Sequence, residues 1–412
     1  MSKQILILFA VFFTLTLTAQ DKTSSPYSYY GVGTPTFNGT ADYRSMEGLS
    51  VDADSTRFNL ENPAALGKLQ LTSFTVGASQ SFTTLKNIDQ EEDIRNTTFD
   101  YLAVAIPAGK FSFGFGLLPK TSVGYKLEET GDDFQSRFTG RGGLSNVFLS
   151  AGYRINKNLS IGIEGGYNYG NVQNENLLFQ EDIQYGTREK NRSDLNGFNF
   201  KLAAHYEVKL KKNLRLQTLV SYAPKAKLTS KNKRWLATLE QSGSSQSVIS
   251  ENEISLENTN FYTPANLRIG AGIGKFQKWM VGIEYQNIGK EEYTNTSFSP
   301  DNIEYKKANV YRLGGYFIPN YNDITNYFNR ITFKAGLRYQ ETGMNINQED
   351  IDEFGISFGL GLPAGKYMSN INLGVEYGQR GTTSAGLIKE DFINVFIGVT
   401  LNDRWFIQRR YR

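Results

Sequence analysis

The sequence predicts an all-β fold: a transmembrane, antiparallel, up-and-down β-barrel of about fourteen strands. Three observations carry that expectation. Runs with apolar residues at every second position recur from Leu71 onward. The intervening positions are small or polar, with glycine common. Short and long connections between the runs alternate. Successive strand side chains point to opposite sides of a sheet, so each such run has one greasy face and one polar face. A soluble sandwich also alternates, but its inner face needs bulk to fill a core. A glycine-rich polar face is not expected to be a packed core, so the greasy face is expected to meet lipid.

The pattern is clearest near the C-terminus. Phe354, Ile356, Phe358, Leu360 and Leu362 oppose Gly355, Ser357, Gly359 and Gly361. Ile371, Leu373, Val375 and Tyr377 oppose Asn372, Gly374, Glu376 and Gly378, and Ile393–Leu401 repeats the arrangement. Mid-chain, Ile161, Ile163, Tyr167 and Tyr169 oppose Gly162, Glu164, Gly166 and Asn168. Ile331, Phe333, Ala335, Leu337 and Tyr339 oppose Thr332, Lys334, Gly336 and Arg338. The charged faces are assigned to the lumen, because a charge on the lipid side near mid-membrane costs roughly 2–4 kcal/mol.

Taken in order, the chain opens on a leader. Lys3 precedes the apolar run Ile5–Leu17, and Leu17-Thr18-Ala19 forms a small-residue cleavage site, so residues 1–19 are expected to be a secretory signal cut after about Ala19. No later run is apolar enough for a spanning helix. Residues 20–69 do not alternate. Their aromatics, among them Tyr27, Tyr29, Tyr30 and Phe58, imply packing against something, with one short helical turn near Pro63–Gly67. Residues 70–401 are expected to form the barrel. PAGK (Pro107–Lys110), NKN (Asn156–Asn158) and KKN (Lys211–Asn213) read as tight periplasmic turns. Polar stretches such as Thr83–Thr97, Gln173–Asp194 and Lys225–Tyr262 read as long outer loops. The run Asn266–Gly274 is the least well bounded and is allowed to begin before Pro264. An even strand number returns the chain to the side it started from, so both termini are expected in the periplasm. Residues 402–412 (NDRWFIQRRYR) form a basic tail.

The N-terminal SSPYSYYGVG (Ser24–Gly33), NPAAL (Asn62–Leu66) and closing EYGQRGTTSAGLIKEDFINVFIGVTLNDRWF (Glu376–Phe406) together resemble the FadL-like outer-membrane transporters of hydrophobic compounds, in the divergent form common in Bacteroidota. The resemblance implies a hatch, residues 20–69, folded inside a fourteen-stranded barrel, with Asn62, Pro63 and Ala64 at its end. It also implies a third strand kinked to open the wall sideways. The third run here is Phe111–Tyr125, and Pro119 sits inside it. A proline removes a ladder donor. The resemblance therefore makes Leu117, Leu118 and Pro119 the expected lateral exit for an apolar ligand, against the plainer reading of an ordinary bulge. No residue set matches the family's ligand pocket.

Chemistry beyond passage finds little support. The protein has no cysteine, which excludes disulfides and thiolate metal sites, and its net charge of +3 gives no reason to expect nucleic acid. The single histidine, His205, falls on the inward face of Phe198–Val208 without a nucleophile motif, so it is expected to be a hydrogen-bonding lumen residue and the protein is not expected to be an enzyme. Acidic clusters at Asp89–Asp93 and Glu349–Glu353 lack EF-hand spacing and read as solvated loops; no metal or cofactor is expected. The expected partners are outer-membrane lipid and a hydrophobic ligand, with passive uptake as the function. The rival expectation is a non-transporting accessory subunit of an outer-membrane protein assembly or secretion complex, docking through its long loops and basic tail.

Overall fold

A computed structural model describes residues 25–404, apart from 243–244, 296–297, 299, 301 and 366–368. The expected signal, residues 1–19, and the tail from Trp405 onward lie outside the described residues. The fold is a closed antiparallel barrel of fourteen strands, several of them in pieces. These are β1 Thr72–Lys86, β2 Glu91–Ala108, β3 Phe111–Pro119 with Thr121–Thr130, β4 Phe134–Arg154, β5 Leu159–Gln180, β6 Tyr185–Lys209, β7 Leu214–Ala223 with Ala226–Ser242, β8 Ser245–Ser255 with Thr259–Thr263 and Asn266–Lys275, β9 Trp279–Ile288, β10 Ala308–Phe317, β11 Thr332–Ile346, β12 Glu349–Ala364, β13 Ser369–Arg380 and β14 Lys389–Asp403. The wall closes where β14 pairs back onto β1, from Thr72↔Asp403 to Lys86↔Lys389. The uncertain run does begin before Pro264, as the separate piece Thr259–Thr263 of β8.

The outward face is the greasy one. Phe358, Val375, Ile393, Ile283, Leu149 and Phe198 are all exposed, while Glu164, Glu376, Glu284 and Lys334 on the opposite face are buried. Ile331 departs from its assignment: it ends the connection between β10 and β11, just before β11, and is buried. In that connection Asp323 accepts from Asn329 Nδ2 at 2.6 Å, from the Asn326 amide at 2.9 Å and from Thr325 Oγ1 at 2.8 Å. These bonds, the one from Asn329 first, hold its carboxyl below the usual carboxylate range.

One expectation is corrected. Most of the polar stretches read as outer loops are strand. β6 has 25 residues and β5 has 22, against 10 in β10. About 9–11 residues suffice to cross a bilayer, so the surplus projects beyond it. Outside lipid neither face must be apolar, so the two-residue hydropathy rhythm vanishes although the backbone ladder continues. Charged pairs across the ladder, such as Arg188–Glu251 at 2.7 Å and Lys233–Glu253 at 2.7 Å, take its place. The two ends of the described chain lie apart. Ser25 bonds Glu390 and Tyr27 bonds the Ile388 carbonyl, at the outer end of the barrel, whereas Gln70 leads into β1 at the other end, beside Asp403. The two ends of the described chain are therefore on opposite sides of the barrel. The segment from Ser25 to Leu71 must run the length of the lumen to reach β1.

Candidate functional site: the plugged lumen and the seam in its wall

The segment inside the barrel has little regular structure. It forms a 3-10 turn at Pro26–Tyr29, a two-residue strand at Thr34–Pro35, one helical turn at Ala41–Arg44 and a 3-10 helix at Pro63–Lys68. Its backbone cannot satisfy itself, so side chains do so. Asn62 caps the last helix, its Oδ1 accepting from the Ala64 and Ala65 amides at 3.1 and 3.2 Å, while its Nδ2 donates to the Ser50 carbonyl. Asn59 Nδ2 donates to the Ser50 and Asp52 carbonyls. Asn62→Ala is expected to cost about 1–2 kcal/mol, the worth of a lost N-cap, as a lower unfolding midpoint in detergent. A change under about 0.3 kcal/mol would show the cap to be dispensable.

Charged pairs then bind this plug to the wall. Arg57 meets Asp52 at 2.8 Å, Asp42 at 3.2 Å and Asp54 at 3.4 Å, with its guanidinium over the Tyr316 ring. Lys334 of β11 also pairs with Asp42. Arg44 reaches Glu376 of β13 at 3.0 Å and Asp100 of β2 at 3.5 Å. Arg338 of β11 joins Glu47 at 3.0 Å, Glu353 at 2.6 Å and Glu376 at 2.9 Å. Arg268 of β8 pairs with Glu61 at 3.0 Å, and Glu284 of β9 accepts from Ser50. His205 is fully buried, its Nε2 3.2 Å from both the Val51 carbonyl and Gln217 Oε1, which fits the hydrogen-bonding role read from the sequence.

The glycines of the inward face have a different role from the one expected. They do not mark an unpacked surface: the plug's backbone lies directly on several of them, and side chains of neighbouring strands cover others, Phe396 over Gly374 and Phe392 over Gly378. A Cβ at Gly152 would come within 3 Å of the Gly67 nitrogen and the Pro63 carbonyl oxygen; one at Gly336 would meet the Glu47 nitrogen at 2.7 Å. The lumen is a packed core whose second layer is the N-terminal segment. Apolar side chains fill the rest. Phe58, Leu60, Leu66, Leu69, Leu118 and Phe148 form one cluster, and Val32, Val123, Leu144, Leu195, Leu228 and Phe261 another toward the outer end.

The wall is interrupted on the β2 side once the third strand passes Leu117. Up to Leu117 it is paired on both sides, Leu117 sitting between Leu102 and Val147; Leu118 and Pro119 keep only β4, opposite Asn146 and Ser145. Leu117 is half-buried, Leu118 points inward into the first apolar cluster, and the Pro119 carbonyl accepts from Thr36 Oγ1 at 2.7 Å. Beyond Lys120 the second piece of β3 keeps β4 as a neighbour but leaves β2, whose Glu91–Phe99 pairs with β1 only. The plug strand closes the base of this seam through Thr34↔Ser122 and Pro35↔Thr121. The bend is shared across the wall: Gly142 and Gly143 of β4, opposite the break, have φ of +123° and +138°. A side chain is strained there, and the Gly142-Gly143 pair was the signal available in the sequence. Leu117, Leu118 and Pro119, expected from the sequence as an exit, thus lie at the foot of the seam. Asn62, Pro63 and Ala64 lie elsewhere, with the Pro63 backbone against Gly162 of β5.

Sequence reading missed the charged residues that seat the plug, namely Asp42, Arg44, Glu47, Asp52, Asp54 and Arg57. Their only trace was indirect. Inward strand positions carry Arg268, Glu284, Lys334, Arg338 and Glu376, and buried charges need partners. The acidic clusters prove to be ion-paired in part: Asp350 with Lys306 at 2.8 Å, Glu353 with Arg380 at 2.6 Å.

Comparison with known proteins gives two results. The fold is that of FadL-type outer-membrane channels. The CymD monoaromatic hydrocarbon channel superposes with a TM-score of 0.57 at 15% identity, covering 89% of this chain and 98% of its own. The toluene transporter TbuX of Ralstonia pickettii gives 0.56 at 15%, covering 91% and 99%. A FadL homologue of Pseudomonas aeruginosa gives 0.56 at 11%, covering 89% and 98%. These neighbours are channels and transporters. No curated protein matches the sequence. The family model described as BamG matches residues 1–412.

Proposed function

We propose, from the premise that this chain belongs to the BamG family, that it is a non-conducting barrel subunit of an outer-membrane protein-assembly or secretion complex. The observation that carries this reading is the plug. It is tied by ion pairs to β2, β8, β11 and β13, its backbone rests on inward glycines, and apolar side chains fill the space between. A ligand would have to break buried charge pairs to pass, and each carries a large desolvation cost when separated. The outer strand extensions, which carry charged pairs across the ladder beside a small apolar cluster of Leu177, Ala237 and Leu239, supply surface for protein contacts. Purification from native outer membrane in mild detergent tests the reading. A single stoichiometric assembly and silent planar-bilayer recordings support it; a lone barrel carrying retained hydrophobic compounds overturns it.

A second reading is favoured by the seam. Passive uptake of hydrophobic small molecules, with sideways release at Leu117, Leu118 and Pro119, would use the wall interruption that begins just after Leu117. It also accords with the names of CymD and TbuX. Burial of apolar area, at about 25 cal/mol/Å², would be its only driving force. Under this reading Pro119→Val slows uptake of an apolar fluorescent probe into cells severalfold. Uptake equal to wild type discards the role of Pro119.

A further inference from the structure

The second piece of β3 presents a strand edge whose hydrogen-bonding needs are met from within the molecule only part of the way up. At its base the plug supplies a true antiparallel partner, Thr34 opposite Ser122 and Pro35 opposite Thr121. One step higher the plug chain has turned away and a side chain substitutes for a backbone: Ser28 Oγ accepts from the Gly124 amide at 3.1 Å and lies 3.2 Å from the Gly124 carbonyl. Backbone groups alternate between the two edges of a strand. Gly124 therefore fixes the phase, and Lys126 and Glu128 present their amides and carbonyls to the same open edge. No strand pairs with that edge above Ser122 among the described residues, and the facing stretch of β2, Glu91–Phe99, is likewise paired on one side only.

The space between these edges has the wrong chemistry for a lipid tail and the right chemistry for a peptide. A cavity of about 440 Å³ lies there, bordered by Leu85, Ile94 and Tyr125 but also by Glu92, Arg141 and Glu175. Where the first piece of β3 shows lipid Phe111, Phe113 and Phe115, the second shows Lys126, 65% exposed, and Glu128. The open edge thus stands clear of the apolar belt, where water reaches it and an acyl chain could not satisfy its donors and acceptors. Exposed strand edges are templates for added strands, and natural proteins usually blunt them. Here blunting stops at Gly124.

We infer that the Lys126–Thr130 edge of β3 receives an extended segment of a partner polypeptide, added as an antiparallel strand in continuation of the plug's Thr34–Pro35. The inference rests on the reading of the barrel as a subunit of a larger assembly and names the chemistry of one contact in it. Its occupant is a peptide backbone with alternating side chains, one row meeting the polar cavity and the other the outer surface.

Photo-crosslinking residues placed singly at Lys126 and Glu128, with Phe358 on the lipid face as control, test it in whole cells. Crosslinks from both positions to residues two apart on one segment of a single protein are expected, and lipid adducts alone from Phe358. Lys126→Pro removes the open-edge amide while leaving the β4 ladder its donors, and is expected to cut the crosslink yield from position 128 by about tenfold or more. Should that variant disturb the wall, seen as loss of the heat-modifiable band, the crosslinks in unaltered backbone still decide. Lipid adducts alone, scattered targets, or no product from an assembly that otherwise purifies intact would overturn the inference. A wild-type barrel that purifies alone would instead overturn the subunit reading, and this contact with it.

Discussion

Replacing Arg57 by alanine is expected to destabilise the barrel by about 3–5 kcal/mol, the cost of leaving buried charges without their partner. Arg57 holds Asp42, Asp52 and Asp54 together through three contacts of 2.8–3.4 Å, and lies across the Tyr316 ring of β10. With the guanidinium gone, Lys334 remains beside Asp42, but among the described residues no other ion pair reaches Asp52 or Asp54. Three carboxylates would then sit in a nearly dry core with one cation between them. The plug should loosen before the wall does, because the wall's backbone ladder does not depend on these charges. The expected result is a lower unfolding midpoint in detergent together with the first appearance of ion conductance in planar bilayers. Arg57→Lys should recover only part of the loss, since an ammonium cannot reproduce the planar fork. A change under 1 kcal/mol with silent recordings would mean that the charges are individually dispensable and that packing alone seats the plug.

The second large effect is expected from Gly336→Val combined with Gly162→Val. At both positions the obstacle is backbone: Met46–Glu47 above Gly336, Pro63–Ala64 above Gly162. Backbone cannot rotate aside as the end of a side chain can. Overpacking at one site costs about 1–3 kcal/mol, and two sites on separate stretches of plug should add. The valines keep the outward pattern intact, so the barrel should still form and insert while the plug is displaced. The readout is conductance and protease access to the plug in a barrel whose gel shift is unchanged. Gly165→Ala, on the lipid side with only the Phe200 ring 3.6 Å away, is the silent control. Equal behaviour of the double variant and this control would show that the inward glycines are not seats for the plug.

The wall was legible in the sequence because lipid imposes a simple rule. Every outward residue in the belt must be apolar, so Phe354, Phe358, Val375 and Ile393 announce their own orientation. His205 could be placed inward by the same parity. Legibility ended wherever that rule stopped. In the upper parts of β5 to β8 no lipid demands a greasy face, and strands passed for loops. The plug gave only its aromatics and its NPA turn, because the pairs that seat it join residues hundreds of positions apart, such as Arg44 with Glu376 and Glu47 with Arg338. The glycines were visible but misjudged: small inward residues signalled room, and the room proved to belong to another stretch of the same chain. The seam fell between these cases. Pro119 pointed to its neighbourhood, while the bend itself is shared with Gly142 and Gly143.

That the chain runs down the lumen before it begins the wall constrains how the molecule can be put together. The last stave, β14, passes Gly398 against the plug's helical turn at Ala41 and locks against β1. A finished cylinder offers no way for some fifty residues to be drawn through it against so many ionic clasps. The hoop must therefore be drawn shut around a mandrel already in place, which makes the earliest part of the polypeptide a participant in the final closing step.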